Sequence, residues 1–433
     1  MQDSKVIKIG EGINLRTIYE TRFKTSSINI RFYLPLSEEA ASLRSIVPFL
    51  LVRSCEQYPD FTALKKKLCM LYGASLTAGV SKFADCHCLS VGIDFLDDRY
   101  AIGGENISRE CTDLLTSVIF SPLLENGVFR SADVEAERRL LIEKIEAQKN
   151  NKRAYALQRA FEIMFEGSVQ GINHLGSVQS ASSLTAEEIT AAWRSMIKTA
   201  HIEICALGAF DFEPVTSGFS SAFSNAEREY TKLPLPDNSF DITSVKEHTE
   251  QSDAQQAKLV IGFRTKIDNS DKKMSMAMRL MNVVLGGSAH SLFFTNVREK
   301  MSLCYYCSSL YNRHKGYLVV QSGLEQKDCE TAKKAIFEQL ELLQTGTVEQ
   351  SFIDSAKLSA VNECLLINDS LSSLYSWYTA QAFDDEIVTP EEAAAQFSAV
   401  STEDIYEAAK TLTLDTIYLL APSEETEDEG GND

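Results

Sequence analysis

LTAEEITAAW (184–193) and VSTEDIYEAA (400–409) read as two copies of one helix start. In the first, Thr185 and Glu188 form a capping box; in the second, Ser401 stands three residues ahead of Asp404. Each copy leads into an apolar strand, HIEICALG (201–208) and TIYLLA (416–421). A second pair agrees: CLSVGIDF (88–95) matches YLVVQSGL (317–324), each ending a hairpin that follows a short helix. Two matches at a similar offset imply a duplicated chain.

Working outward, Ile28, Ile30 and Phe32 alternate with polar neighbours and predict a half-buried strand. Helices are predicted from about Glu38 and from Asp60 to Tyr72, where Leu64, Leu68 and Leu71 share a face. A hairpin follows over 74–81 and 86–95, then long helices over 97–119 and 131–165. The second half repeats the order. KLVIGFRT (258–265) is a strand, 273–285 and 291–300 are helices, 303–323 is a hairpin, and helices fill 325–343 and 349–382. Strands come in hairpins with helices bunched between them, not in βαβ alternation. The expected class is α+β: two duplicated domains, each an antiparallel-rich β-sheet with helices on one face. The boundaries predicted are 1–228, a linker at 229–251 rich in turn residues, and 252–433, with an acidic disordered tail from about 423.

A net charge of −19 argues against nucleic acid, whose phosphates demand clustered Lys and Arg. It suits basic partners or extended basic peptides. No uninterrupted apolar run is long enough for a membrane span, and MQDSKVIKIG carries no secretory pattern. The ten scattered cysteines then read as reduced core thiols, and a cytoplasmic protein is expected.

Familiar catalytic motifs fail. Gly10 and Gly12 lack a third glycine, since Leu15 stands in its place, and GGSAH (286–290) lacks the closing glycine of a nucleophile elbow. None of the six histidines has a His partner at helical or hairpin spacing. Cys304 and Cys307 form a single pair on a predicted strand and read as buried thiols, because zinc would need two further ligands. No metal is expected in this chain.

VREKMSLCYYCSS (297–309), with LGGSAHSLF (285–293) before it, resembles the second-domain signature of the pitrilysin/insulinase peptidases, an Arg and a Tyr seven apart. FYLPLSEEAASLRSIVPFLLVRSCEQYP (32–59) and LKKKLCMLYGASLTAGVSK (64–82) resemble that family's opening strand, metal helix, Tyr-Pro turn and edge strand. The resemblance spans nearly the whole chain. Active members carry His-x-x-Glu-His on the first-domain helix, with two imidazoles on one face and a Glu that activates water. Counting back from Tyr58 and Pro59, those positions hold Ser45, Pro48 and Phe49. The tract ERRLLIEK (137–144) puts Lys144 where the third ligand, a Glu, belongs, with Glu143 one place off. Pro48 also removes a helix hydrogen bond, so the helix should be kinked or interrupted.

The resemblance therefore implies a non-catalytic subunit that forms half of a clam-shell chamber with a zinc-bearing homologue and holds no cofactor itself. It implies that Arg298 holds a substrate carbonyl and Tyr305 donates to the oxyanion in the partner's site. Without the resemblance, Arg298 is a solvated residue near a helix C-terminus and Tyr305 a core aromatic; Tyr306, on the opposite face, is the natural control. Gly73, Ala74, Ser75, Leu76 and Thr77 correspond to the edge strand on which active members lay an extended peptide, and here bind peptide or serve as scaffold. The branch most similar is the bacterial metal-less subunits linked to aminopentanol modification of elongation factor P. The competing expectation is a structural or peptide-binding scaffold that forms a homodimer.

Overall fold

The computed structural model describes residues 3–234, 238–384 and 386–423, so the acidic tail lies outside the described residues. The chain forms two compact units. In the first, a sheet contains β1 (Asp3–Gly10), β2 (Ile13–Tyr19), β3 (Thr25–Pro35), β4 (Ser75–Phe83), β5 (Cys86–Leu96) and β8 (His201–Gly208). Between β5 and β8 in sequence, β6 (Leu124–Glu125) and β7 (Val128–Phe129) make a small ribbon of their own. The sheet order is β1-β2-β8-β3-β5-β4. The second unit holds β9 (Lys246–Ser252), β10 (Ala257–Arg264), β11 (Tyr306–Asn312), β12 (Tyr317–Leu324) and β13 (Thr413–Pro422), in the order β11-β12-β10-β13-β9.

Read from the other edge, the second order repeats the first strand for strand, with β1 the only addition. Even the one parallel pairing recurs: β2 runs parallel to β8, and β9 to β13. The matches proposed from sequence fall on equivalent places, β5 with β12, and helix Ala186–Thr199 with helix Thr402–Lys410. The capping box at Thr185 is formed, and Ser401 caps its helix by accepting from the Asp404 amide. The duplicated α+β architecture is present as read.

Packing follows the alternation. Ile28, Ile30, Phe32 and Leu34 of β3 join one core with Leu64, Leu68, Leu115, Trp193 and Phe219 from the helical layer. Side chains of this size each contribute about 1.5–3 kcal/mol on full burial. Trp193 keeps its polar end satisfied by donating from Nε1 to the Ile119 carbonyl at 2.9 Å. In the second unit Phe263 of β10 meets Phe337 on helix Cys329–Thr345, their ring centroids 6.2 Å apart.

Several details differ from the sequence reading. The helix expected over 131–165 is two, Ser131–Ala147 and Lys152–Met164, because Asn151 caps the second by accepting from the Ala154 amide. Likewise Ser370 caps Leu371–Thr379 and separates it from Gln350–Leu366. Between them the capped helices redraw the boundaries: 148–171 belong to the second unit and 367–387 to the first, so 1–228 and 252–433 are not the compact units. The physical cause is sheet coverage. Ala156 and Ala160 pack with Val260, Tyr418 and Leu420, while Leu374 and Tyr378 pack with Ile18, Cys205 and Leu207. Each sheet thus carries one further helix on the side away from its main helical layer. The stretch 229–251 is also not all linker, since Lys246–Ser252 is β9. The helices Val178–Ser182, Glu213–Ser224 and Pro390–Ala399 have no counterpart in the sequence reading. Among the described residues no helix is long and apolar enough to cross a membrane.

Candidate functional sites

Pro48 acts on its helix as its chemistry requires. Helix Glu38–Ser45 stops at Ile46, and a short helix Val47–Leu51 begins with Pro48 in its first turn, where a missing N–H costs nothing. Ser45 is sealed in the core at 0% exposure. Its hydroxyl donates to the His174 carbonyl at 2.8 Å and lies 3.4 Å from His87 Nε2. Pro48 is buried, and Phe49 is half-buried with the Lys144 ammonium 5.0 Å from its ring centroid. The four positions singled out by the sequence do converge, but on a packed serine, a proline and a cation–π pair.

Nor does a slipped register restore a ligand. Glu143 is exposed and pairs with Arg139 at 3.8 Å, and Glu137 is held by Arg53 at 2.5 Å. Two histidines that looked unrelated, 87 residues apart in sequence, meet here. Burial, then Arg44 and His174, push His87 down to about 3. His174 falls to about 4 through burial, then Lys82 and Lys144. Both rings are neutral at pH 7, and His87 Nδ1 has no hydrogen-bond partner. No group of three His, Cys, Asp or Glu side chains suited to a metal comes together among the described residues. With Ser, Pro, Phe and Lys at the motif positions, the site does not fit zinc.

The second unit presents its pair differently. Arg298 lies on a widened helical segment, Phe293–Lys300, with π-type turns, a geometry that recurs at functional sites. Its guanidinium lies 4.6 Å from the Phe294 ring centroid and 3.5 Å from a Glu299 carboxylate oxygen, and the side chain is 39% exposed. After Lys300 the chain reverses through Ser302, whose φ of 53° is left-handed. Tyr305 precedes β11 instead of lying on it, anchored by its amide donating to the Gly323 carbonyl at 2.8 Å. Its side chain is 52% exposed, so the core-aromatic reading does not hold. The hydroxyl donates to the Glu325 carboxylate, which raises its pKa above the usual phenol range.

Tyr306 sits in different surroundings. Arg153 and Lys258 stand 4.3 and 5.8 Å from its ring centroid. Gly323 leaves room for the ring: a Cβ there would lie 2.3 Å from Tyr306 Cε1.

Of the proposed peptide-binding edge, only Ser75, Leu76 and Thr77 lie on a strand, and β4 is an edge of its sheet. Gly73, at φ 79°, and Ala74 instead belong to the turn that ends helix Phe61–Met70. Their amides donate to the Leu68 and Leu71 carbonyls, both at 3.1 Å. The core-thiol reading of the cysteines fails at Cys69, which is exposed, and at Cys304, which is half-buried.

A duplicated α+β chain with Ser, Pro, Phe and Lys at the metal-motif positions and a surface Arg–Tyr pair is similar to inactive relatives of the pitrilysin-type zinc peptidases. Residues 183–359 match the family model for the peptidase M16 inactive domain. The chain is 29% identical over 415 residues to the "probable inactive metalloprotease YmfF" of Bacillus subtilis, covering 95% of this chain and 96% of the relative. A conserved protein of Enterococcus faecalis has a similar structure, with a TM-score of 0.89 at 27% identity, covering 98% of this chain and all of that one. A peptidase M16 inactive domain of Pseudomonas fluorescens shares the fold, with a TM-score of 0.78 at 15% identity over 97% of this chain and 98% of that one.

Proposed function

We propose that this chain is the accessory subunit of a two-chain zinc peptidase acting on unfolded or leader peptides. Zinc then belongs to a homologous partner, and this chain contributes Arg298 to grip a substrate carbonyl and Tyr305 to donate to the oxyanion. One observation carries the reading. Arg298 and Tyr305 both reach solvent, whereas Ser45 and Pro48 at the degenerate metal positions are buried and Phe49 is half-buried. Tyr305 needs only to exchange its Glu325 contact for the oxyanion. Donors fixed in advance at the point where charge develops are among the largest contributions to such reactions.

The test is co-expression with a zinc-bearing homologue. A 1:1 complex should form and cleave unstructured peptides, and the isolated chain should bind no stoichiometric zinc and cleave nothing. Full activity of a complex carrying Arg298→Ala would sink the assigned role. The alternative, a peptide-binding scaffold that pairs with itself, draws support from the open edge at β4. It predicts peptide binding and a homodimer, with no gain in hydrolysis on mixing.

A further inference from the structure

On either side of Tyr305 the chain places two thiols, Cys304 and Cys307, whose setting the peptidase reading does not use. Cys307 lies on β11 opposite Ser322 of β12 and is only 6% exposed. Cys304 precedes the strand and is half-buried, so reagents can reach it. The thiols are hydrogen-bonded to each other, both contact the Ser322 side chain, and the positive field of Arg298 falls on Cys304. We propose that Cys304 and Cys307 are a redox-active dithiol, with Cys304 as the attacking thiol and Cys307 as the resolving one.

The asymmetry of the pair supports these roles. The hydrogen bond from Cys307 lowers Cys304 to about 7, helped by Ser322 and Arg298 and opposed by burial. Donating that bond, together with burial, raises Cys307 well above the ordinary thiol value. A half-exposed thiolate in a positive environment beside a second thiol is the setting in which cysteines react selectively. Closing the bridge sets the two sulfurs, three residues apart in sequence, about 2.05 Å from each other. Freedom for that step lies on the Cys304 side, where residues 301–304 are irregular and Ser302 is left-handed, while Cys307 is fixed in the sheet.

The oxidant is a small-molecule disulfide of the glutathione class. The Cys304 thiolate attacks one of its sulfurs, forms a mixed disulfide and expels one thiolate. Cys307 then gives its proton to solvent, and its sulfur displaces the second thiolate from Cys304. Two electrons pass from the protein dithiol to the oxidant, which leaves as two thiols. The closed bond spans Tyr305 and Tyr306 and constrains the backbone that presents the Tyr305 hydroxyl, so its position is reset by redox state; that last link rests on the accessory role proposed above.

The experiment uses the full chain and two readouts. First, the protein is equilibrated in glutathione buffers of graded ratio, trapped with acid and alkylating agent, and mapped by mass spectrometry. An internal Cys304–Cys307 disulfide should appear and reverse with excess thiol, and Cys307→Ser should instead accumulate glutathione on Cys304. Iodoacetamide at pH 7 should modify Cys304 several-fold faster than exposed Cys69, as its larger thiolate fraction outweighs its lower nucleophilicity. Equal rates, or oxidation that yields only mixed disulfides in the unmutated chain, would overturn the dithiol. Second, oxidation should lower hydrolysis by the complex but spare one built with Cys304→Ser. A disulfide that forms without changing activity removes the link to catalysis and leaves the accessory role itself standing.

Discussion

The two units share a strand order and differ in what their equivalent surfaces offer. In the first, the place of a metal is filled: Ser45 is sealed at 0% exposure, Pro48 and Phe49 pack, and two neutral histidines lie beside them. In the second, Arg298 and Tyr305 stand in solvent with one carboxylate contact each. Packing closes the first surface and leaves the second open. A surface held only by exposed contacts adds little to stability.

The largest effect expected to sharpen this contrast is on rate. In the complex, Tyr305→Phe should lower kcat by about 10²–10³, the usual consequence of losing one oxyanion donor, with an unchanged unfolding midpoint. Tyr306→Phe, treated alike, should keep full activity, and equal losses from both would show that Tyr305 has no special place. The next effect is on stability, in the first unit. Ser45→His forces a larger ring into a closed core and should cost about 1–3 kcal/mol by urea titration. No loss there would mean that the old metal position still has room.

pH breaks the comparison another way. His87 is depressed from an ordinary value of about 6.5 to about 3 in the folded chain. Its unfolded form therefore binds the proton first. Its contribution is complete above about pH 6.5 and is lost as pH falls toward the folded value. Comparing urea midpoints at pH 7 and pH 5, His87→Gln should show a shallower loss than the natural chain, by up to about 1.4 kcal/mol per pH unit. Parallel slopes would mean that His87 does not carry this dependence. The smallest effect is Lys144→Ala, which should cost about 0.5–1 kcal/mol if its ammonium rests on Phe49.

Much of this was legible in the residues. Ile28, Ile30 and Phe32 announce β3 by alternation, Thr185 and Glu188 announce a cap, and Pro48 dictates an interruption wherever its helix packs. These are local rules. Glu213–Ser224 escaped because Pro214 and a run of serines obscure its apolar face, Val215, Phe219 and Phe223. The meeting of His87 with His174 could not be read, since no periodicity links residues so far apart. Tyr305 and Tyr306 look alike in sequence. Only the bend before β11 and the cations over Tyr306 separate one in water from one pinned against Gly323.

The capped helices Lys152–Met164 and Leu371–Thr379 have a consequence for how such a chain could arise and be divided. Each follows a long helix at the same step of the repeat, and each is placed in the unit built mainly from the other half of the sequence. A forebear of half the length, folding alone, would have kept its own copy or left a sheet face bare; two copies trading helices would have left neither bare. In this chain the exchange lies within one polypeptide. Severing the chain between residues 229 and 245 should therefore yield two fragments that fold together and not apart.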